Sequence, residues 1–410
     1  MGAYRDRRRH LLLEALARTL TAMLLLDATH TSHTRAQTGI QRVCRSLHAA
    51  LAAQQPVRAV CHDPYLGAWR ELNAREARCL QPGQAATGSR GARWPLHQKL
   101  AGHVRRLAGA PPPVPAGTAL VCPELFSPAV GARLPALLAA VTGPRVAVFH
   151  DAIGLKLPEL TPPGTVRRLP AYLRELLHFD GIAANSEDSA ACLRDYWAWL
   201  GVADTPVVQA IPLGLDECHL IGDIPQGATP RVLCVGTIEG RKNHLALLAA
   251  CEGLWQEGLK FELQLLGLPR ADTAGPALAR IAALQAAGRP LLFDGPADDA
   301  ALQAAYRRCA FTVYPSLLEG FGLPVLESLQ HGKPCICSAA GALGESARGG
   351  GCVGLPAVDA GSLAAAIRRL LQNPAELATL AGQARSRRFK LWPEYARELT
   401  GWMATLPRRG

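Results

Sequence analysis

Short runs of apolar residues alternate with helical patterns along most of this 410-residue chain. After the first run, apolar residues recur at the spacing of one helix face, which predicts an amphipathic helix. These residues are Ile40, Val43, Leu47 and Leu51. Alternation of this kind is typical of a parallel sheet with helices on both faces. The runs that predict strands in the first half are residues 22–29, 118–124, 145–151, 181–186 and 207–214.

A second alternating series begins at residue 231, with strand-like runs at 231–236, 261–267, 290–295, 310–316 and 333–339. Residues 217–230 are polar, contain glycine and proline and show no periodicity, so we predict the interdomain linker there. The prediction is two doubly wound α/β domains, 1–216 and 231–390, followed by a last helix within 391–410. Because ligands bind at the carboxyl ends of such strands, two facing sheets would form an interdomain cleft.

Two segments do not follow the alternation. Residues 80–117 are rich in glycine, proline and arginine, which predicts an irregular surface insertion. Residues 1–20 combine basic and apolar residues and predict a helical extension that either lies on a membrane surface or packs on the protein. Glu14 and Arg18 interrupt the apolar part, and no run of about 18 apolar residues occurs, so neither a signal peptide nor a spanning helix is predicted.

The net charge of +11 favours an anionic partner, with a solvated basic surface as the alternative. Nucleic acid is not expected, because no nucleic-acid module occurs and aromatic residues make up only 5%. An anionic membrane or a phosphorylated ligand remains. The twelve cysteines form no C-x-x-C pair, so we predict reduced core cysteines in a cytosolic protein. His30 and His33 have no carboxylate at a convincing spacing, so no metal site is predicted.

The stretch "VGTIEGRKN", residues 235–243, carries two adjacent cations. Gly236 follows a predicted strand, and Arg241 and Lys242 come where a helix opens. Amide groups at a helix start favour anions, whereas cations there oppose the helix dipole. An anion such as a diphosphate between the two cations would resolve this conflict. A solvated basic pair is the alternative.

Two glutamates bracket the stretch "EGFGLPVLE", residues 319–327. Pro324 suits the first turn of a helix that stops at Gly332, which predicts Glu327 in that first turn. A favourable helix-dipole interaction of about 0.3–1 kcal/mol explains Glu327 but not Glu319. Since carboxylates accept hydrogen bonds from sugar and ribose hydroxyls, the pair predicts a ligand with two polyol parts.

The first half offers fewer candidates. Gly39 lies between the first strand and its helix and could let the backbone approach a phosphate. His150 and Asp151 end the predicted strand 145–151, at the edge where the cleft would lie. Ser186 is interpreted as a helix N-cap.

Taken in order, these stretches resemble the retaining glycosyltransferases of family 4. "YPSLLEGFGLPVLESLQHGKPCI" resembles their E-x7-E segment, and "LCVGTIEGRKN" resembles their donor-phosphate loop. "VFHD", "ANSEDS" and "IPLGLD" match further landmarks. "TGIQRV", residues 38–43, resembles a subset active on bacterial surface polysaccharides, many of them mannosyl- or rhamnosyltransferases. The resemblance covers roughly residues 22–390 and is strongest over 231–345.

The resemblance implies a GT-B fold whose C-terminal domain holds a nucleotide sugar. It implies that Glu327 binds the donor ribose and that Glu319 contacts the transferred sugar. Arg241 and Lys242 would neutralise the diphosphate, and His150 would contact the donor sugar near the reacting carbon. Glu319, His150, Arg241 and Lys242 are therefore the expected catalytic residues. The other implied donor-binding positions are Gly39, Gly236, Thr237, Gly320, Phe321, Gly322 and Leu323, and the last helix would cross back to the N-terminal domain.

The hypothesis from the sequence is a retaining, metal-independent glycosyltransferase at the inner face of the cytoplasmic membrane. It would move a hexose or deoxyhexose from a nucleotide diphosphate sugar onto a lipid-linked or growing glycan, and it needs no cofactor. Mannose is the first expectation, with GDP-mannose favoured over a UDP-sugar. The chain departs from many relatives at Thr237, where they have arginine, and at Gly240, where they have proline.

Two other classes of protein fit the same pattern. One is a different enzyme on this architecture, a sugar-nucleotide epimerase or a glycan phosphorylase. The other is a non-catalytic protein that binds a nucleotide sugar.

Overall fold

The computed structural model describes residues 23–36, 39–81, 91–109, 114–218 and 229–409. The predicted extension 1–20 lies outside the described residues, and so does most of the predicted linker, residues 219–228. In the described ranges, none of the helices combines the length and the apolar character needed to cross a membrane.

The N-terminal domain is built on a seven-stranded sheet. Its strands are β1 (Leu24–Asp27), β2 (Val57–Asp63), β3 (Ala68–Glu71), β4 (Ala119–Cys122), β5 (Arg145–Phe149), β6 (Gly181–Ala184) and β7 (Val207–Ala210). Their spatial order is β3-β2-β1-β4-β5-β6-β7. β2 and β3 are antiparallel, and the other neighbouring strands are parallel.

Eight α-helices accompany this sheet within the described residues. They are α1 (Gly39–Ala52), α2 (Ala74–Arg78), α3 (Leu96–Leu107), α4 (Pro128–Gly131), α5 (Leu134–Ala139), α6 (Ile153–Lys156), α7 (Pro163–Glu175) and α8 (Glu187–Trp199).

The C-terminal domain is built on a six-stranded parallel sheet. Its strands are β8 (Arg231–Val235), β9 (Glu262–Leu266), β10 (Leu291–Gly295), β11 (Phe311–Tyr314), β12 (Cys335–Ser338) and β13 (Cys352–Leu355). Their spatial order is β10-β9-β8-β11-β12-β13. The helices of the same part of the chain are α9 (His244–Gln256), α10 (Gly275–Ala286), α11 (Asp299–Arg308), α12 (Leu323–Gln330), α13 (Gly341–Ala347), α14 (Ala360–Gln372), α15 (Pro374–Ser386) and α16 (Trp392–Met403).

Both faces of the central strands of each sheet are buried, which explains why these strands are apolar at consecutive positions. In β1, Leu25 joins one hydrophobic cluster, whereas Leu24 and Leu26 join a cluster on the opposite face. Successive side chains of a strand point to opposite faces, so a strand covered by helices on both sides reads as a continuous apolar run. The predicted doubly wound parallel α/β class is confirmed by these two sheets.

The last helix, α16, packs against α1 of the N-terminal domain. Its buried residues Trp392, Tyr395 and Leu399 belong to the same cluster as Leu47 of α1. The bond from the Leu215 N–H to the Lys390 carbonyl, 2.8 Å, fixes the point where the chain returns.

The strands expected from the apolar runs are all present, each within a few residues of its predicted bounds. Three strands were not predicted: β2, β3 and β13. The prediction of an irregular insertion at 80–117 was wrong for Leu96–Leu107, which form α3. That stretch contains no proline, and its apolar residues recur every three or four positions, so helix formation is not opposed there.

Candidate active site

The candidate site lies where the strand order of the C-terminal sheet reverses, between β8 and β11. Ligands of doubly wound sheets bind in the crevice outside the carboxyl ends of such strands. The loop 236–243 follows β8 and the loop 315–322 follows β11. The Leu317 N–H donates to the Arg241 carbonyl across 2.9 Å, which holds the two loops together.

A charged cluster joins these loops. The Glu319 carboxylate accepts from Lys242 Nζ at 2.6 Å and from Arg241 Nη1 at 2.8 Å. On its other side, Arg241 reaches Glu239 Oε1 at 2.7 Å. The side chains of Lys242 and Glu319 are each only 10% exposed, so this is a largely buried network. The structure therefore brings together three of the four predicted catalytic residues.

The cluster shifts the titration of both central groups. Burial raises the pKa of Glu319, but the charges of Lys242 and Arg241 outweigh it and bring that pKa down to about 2. Burial lowers the pKa of Lys242, and the Glu319 charge opposes this shift. The buried charges of Glu319 and Lys242 therefore each depend on the opposite charge beside them.

Lys242 also contacts Tyr314, the last residue of β11. Its Nζ donates to the Tyr314 hydroxyl and lies 4.5 Å from the centroid of the ring. Contact with the face of an aromatic ring favours an ammonium ion electrostatically. Tyr314 and Glu239 were not predicted as parts of the cluster, because nothing in their local pattern shows that their side chains turn towards the two cations.

The two cations lie in a 3₁₀ turn, Gly240–Lys242, and not in the first turn of a helix as the sequence suggested. Asn243 separates this turn from α9 in the left-handed conformation, with φ of 56°. Asparagine tolerates that conformation better than most residues, and its Nδ2 donates to the Val358 carbonyl at 2.6 Å. The helix dipole therefore opposes the cations less than the sequence implied, and Glu239 and Glu319 stabilise them.

Gly322 lets the chain turn from the loop into α12. It is the N-cap of that helix with φ of 102°, a region that favours glycine. A Cβ at this position would lie 2.9 Å from Leu343 Cδ2. Glycine is needed here for two reasons: its positive φ, and the lack of room for a Cβ beside Leu343.

The position predicted for Glu327 in its helix was wrong. Because α12 begins at Leu323, Glu327 is the fifth helical residue and lies in the second turn. The helix dipole falls off within the first turn and does not explain it there. Instead, the buried carboxylate accepts from Arg42 Nη2 at 2.5 Å and from the Tyr306 hydroxyl at 3.3 Å.

Arg42 belongs to α1, so its bond to Glu327 connects the two domains. It also approaches Asp216 Oδ2 at 3.8 Å. Sequence analysis did not select Arg42 as a site residue, although it is the fifth residue of the "TGIQRV" stretch. Its position in that stretch was the available signal, but only the packing of the two domains shows which carboxylate it meets.

His150 follows β5 on the N-terminal side of the cleft, and its ring is buried. Burial lowers the pKa of His150, which makes the ring neutral at pH 7. Nε2 lies 2.7 Å from the Pro123 carbonyl, and since a carbonyl only accepts, Nε2 carries the proton. Nδ1 accepts from Asn185 Nδ2 at 3.1 Å. Both nitrogens are occupied, so the predicted contact with a donor sugar stays a proposal.

The glycine-rich loop of the C-terminal domain touches His150. A Cβ on Gly320 would lie 2.0 Å from the His150 carbonyl oxygen, so the backbones meet there with no room for a side chain. Ser186 caps α8 as predicted, and its hydroxyl donates to the Gly320 carbonyl at 2.8 Å. Residues from both domains thus converge around Glu319, Gly320 and His150.

The remaining predicted donor positions lie around this convergence. Gly236 follows β8 with φ of 152°, near Lys242 and Tyr314. Thr237 is half-buried, Phe321 packs partly against the N-terminal core, and Leu323 begins α12. Gly39 begins α1, and a Cβ there would meet nothing within 4 Å, so the structure leaves open space beside it.

One group of side chains has the composition of a metal site. His33, Cys61 and Glu76 offer ligand atoms within 4.8 Å of one another. However, Glu76 already accepts from Arg70 Nη1 at 2.7 Å and from His33 Nε2 at 2.9 Å. A guanidinium at this distance repels a cation, so we interpret the group as a structural network. All twelve cysteines lie in the described residues, and none of them forms a disulfide there.

Residues 229–373 match the family model of the group 1 glycosyl transferases. This range contains β8, the Arg241–Lys242 turn and the segment from Glu319 to Glu327. The C-terminal domain therefore belongs to the group 1 glycosyltransferases. The GT-B fold and the family expected from the sequence are thereby confirmed.

Curated relatives of this group 1 glycosyltransferase include mannosyltransferases of Escherichia coli. The serotype-specific mannosyltransferase WbdA is 27% identical over 351 residues, which are 77% of this chain and 38% of WbdA. The O-antigen chain mannosyltransferase B is 28% identical over 267 residues, 60% of this chain and 66% of that protein. The chain thus spans little more than a third of the length of WbdA.

Solved structures share the fold along nearly the whole chain. Sucrose-phosphate synthase from Thermosynechococcus elongatus superposes with a TM-score of 0.64 at 20% identity, covering 93% of this chain and 98% of that one. Anabaena HepE, in complex with UDP and glucose, superposes with a TM-score of 0.63 at 15% identity, covering 94% and 100%. At these identities the likeness establishes the GT-B fold alone.

Proposed function

We propose that this group 1 glycosyltransferase transfers a mannosyl group, with retention, from a nucleotide diphosphate sugar to a surface glycan or its lipid-linked precursor. The observation that carries the proposal is the convergence of Arg241 and Lys242 on Glu319 at the switch point of the C-terminal sheet. Mannose is favoured because the E. coli relatives, WbdA and O-antigen chain mannosyltransferase B, are mannosyltransferases. GDP-mannose is therefore the first donor to test.

The diphosphate of the donor would bind Arg241 and Lys242. A doubly charged anion in this cluster competes with Glu319 for the two cations, because both partners offer oxygen acceptors to the same donors. Glu319 would then accept bonds from hydroxyls of the transferred sugar. One cluster would in this way serve as a preformed anion site and as a sugar contact.

Catalysis would be largely electrostatic. Negative charge grows on the diphosphate as the sugar departs, and fixed cations in a water-poor cleft stabilise that charge. Because Arg241 and Lys242 supply two positive charges at one place, the proposed reaction needs no divalent metal. Glu327 would bind the ribose hydroxyls, for which Arg42 must release or share its carboxylate.

The acceptor would bind on the N-terminal side. A cavity of about 390 Å³ lies at the carboxyl ends of β1 and β4, and its lining includes Asp27, Glu124 and Trp94. Burial and the nearby Glu124 charge raise the pKa of Asp27 to about 7, so this carboxyl can donate as well as accept near neutral pH. Carboxyl groups beside an aromatic ring suit a sugar, whose hydroxyls and apolar face need both kinds of contact.

The first experiment tests Lys242→Ala and Glu327→Ala with GDP-mannose and a panel of other nucleotide sugars. We expect Lys242→Ala to lower kcat/KM for transfer by roughly a hundredfold or more, the usual cost of removing one group that stabilises a transition-state charge. Glu327→Ala should also lower kcat/KM, because the donor ribose loses its hydrogen-bond acceptor. Nucleotide binding, measured by thermal shift, should weaken in both variants.

Matched controls are Lys260→Ala and Glu257→Ala, which remove the same side chains from exposed positions of the C-terminal domain. Both should retain full activity. Unchanged transfer by Lys242→Ala and Glu327→Ala would contradict the proposal. Release of an isomerised nucleotide sugar without acceptor would indicate an epimerase, and dependence on inorganic phosphate would indicate a phosphorylase.

A further inference from the structure

The helix α3 turns its apolar side chains towards solvent. Its leucine and valine residues are among the most exposed large apolar side chains of the described chain. The exposed fractions are 77% for Leu96, 66% for Leu100, 64% for Val104 and 88% for Leu107. A contiguous exposed apolar surface of this kind marks an interaction site.

The four residues form one stripe. Successive residues of an α-helix turn by about 100°, so positions 96, 100, 104 and 107 fall within about 80° of the circumference. Gly102 lies on the other side and is buried against the turn after β2, where a Cβ would lie 2.8 Å from Tyr65 Cβ. The helix is therefore fastened by its small and polar face, which is the reverse of a surface helix that covers a core.

The helix itself is basic. It carries Lys99, Arg105 and Arg106 and no aspartate or glutamate. Pro95 and Gln98 at its N-terminal end line a cavity of about 560 Å³, and the same cavity is lined by Arg35, Arg75, Arg78 and Arg93. Among the described residues of that lining, Glu76 is the only acidic one, and it is paired with Arg70 and His33. Positive charge thus lies on the same helix as the apolar stripe and around the cavity at its N-terminal end.

We propose that α3 docks on an anionic lipid bilayer, with the Leu96–Leu107 stripe inserted at the level of the headgroups and the basic side chains on lipid phosphates. An amphipathic helix with an apolar face and a basic polar face binds at such interfaces. Each cationic side chain near an anionic bilayer strengthens binding roughly fivefold. The sequence had suggested residues 1–20 for membrane contact, whereas the structure points to α3.

Charge decides between a bilayer and the other surfaces that could cover the stripe. A second copy of the chain would bring an equally basic α3 to the contact. The N-terminal residues 1–20 carry five arginines against two acidic residues, Asp6 and Glu14, so this segment is also basic. Either contact would set like charges against each other, whereas an anionic bilayer supplies opposite charge around a hydrocarbon layer.

Docking on a bilayer goes beyond the proposed function. If the acceptor is lipid-linked, as proposed above, docking would bring the enzyme to its acceptor. It would hold the N-terminal domain, and with it the proposed acceptor cavity, at the surface where such an acceptor resides. Because bilayer binding is measured without donor or acceptor, its failure and a failure of the transferase proposal can be told apart.

The test is co-sedimentation of the full chain with vesicles of phosphatidylglycerol and phosphatidylcholine. The stripe variant is Leu96→Gln, Leu100→Gln and Leu107→Gln in one chain, and we expect it to lower the partition coefficient by about a hundredfold or more, since each leucine loses its burial. The charge variant Arg105→Gln with Arg106→Gln should lower it by roughly twenty-fivefold on anionic vesicles and leave the weak binding to pure phosphatidylcholine unchanged.

The matched control is Trp199→Gln, Leu200→Gln and Leu292→Gln, which removes three exposed apolar side chains elsewhere, 80%, 51% and 38% exposed. It should bind vesicles like the unaltered chain. Nucleotide binding by thermal shift should persist in every variant, which shows that they are folded. Undiminished vesicle binding by the stripe variant overturns the proposal, and so does conversion of a dimer to a monomer by that variant in sedimentation analysis.

Discussion

At the scale of single residues, the site is governed by charges that need one another. Glu319 is largely buried and faces two cations. A buried ion pair contributes little against well-packed apolar groups, but removing one partner leaves an uncompensated charge and is costly. Glu319 therefore holds the site together before any ligand arrives, in addition to the role proposed for it in transfer.

The change Glu319→Gln should destabilise the protein by roughly 3 kcal/mol at pH 7, since the pKa of Glu319 falls from 4.5 to about 2 on folding. A carboxyl with a lowered folded-state pKa stabilises the protein above its unfolded-state pKa and loses that effect as pH falls towards the folded-state value. Urea unfolding should therefore show a difference between the two proteins that is full above pH 5 and shrinks towards pH 2. A difference that does not change with pH would contradict the assigned pKa.

At the scale of elements, the start of α12 depends on one backbone conformation. Gly322 adopts φ of 102°, and this places Glu319 in the loop and Glu327 in the helix. The helix α9 starts in a comparable way after Asn243, which also has positive φ. Both donor-side helices thus begin at a left-handed residue that reverses the chain at the sheet edge.

The change Gly322→Ala should lower the free energy of unfolding by about 1–3 kcal/mol, because alanine is strained at that φ and its Cβ meets Leu343. Gly253→Ala in α9 is the matched control. Nothing lies within 4 Å of that Cβ, so we expect a gain of about 0.4–1 kcal/mol. Urea unfolding of both variants measures the contrast, and equal effects of the two changes would contradict it.

At the scale of the whole molecule, the two domains meet through a few tight contacts. Gly320 lies against the His150 carbonyl, Ser186 donates to Gly320, and Arg42 pairs with Glu327. Each contact joins a residue of the proposed donor side to the N-terminal domain. The contacts that close the cleft in this arrangement therefore also bring the residues of the proposed site together.

The change Gly320→Ala should force the domains apart, because its Cβ would lie 2.0 Å from the His150 oxygen, where an ordinary contact is 3.4–4 Å. A misplacement of this size costs about a hundredfold in rate, so transfer should fall by that factor while the thermal melt changes little. Gly382→Ala, with nothing within 4 Å of its Cβ, should keep full activity. Normal transfer by Gly320→Ala would show that the contact is dispensable.

Much of the fold was accessible from local pattern. Continuous apolar runs predicted most of the strands, because both faces of those strands are buried. The alternation of these runs with helical patterns predicted the parallel α/β class. The edge strand β3 was not predicted, because only one of its four residues is buried. β2 was not predicted, because Arg58, His62 and Asp63 leave it only a short apolar run. The position of Glu327 in α12 was predicted wrongly, because a proline does not fix the residue at which a helix begins. Proline is tolerated at more than one position of the first turn, and Pro324 is the second residue of α12.

By itself, the sequence determined the residue types available for chemistry: two adjacent cations, two glutamates eight positions apart, and glycines where the backbone must bend or approach. These are local properties, and each can be recognised from a few neighbouring residues in the sequence. Tertiary structure alone decided which of them meet. Glu319 binds both cations, Glu327 binds Arg42 from 285 positions away, and α3 presents its apolar stripe to solvent. Such contacts depend on how separate elements pack, and packing brings together residues whose spacing along the chain carries no signal.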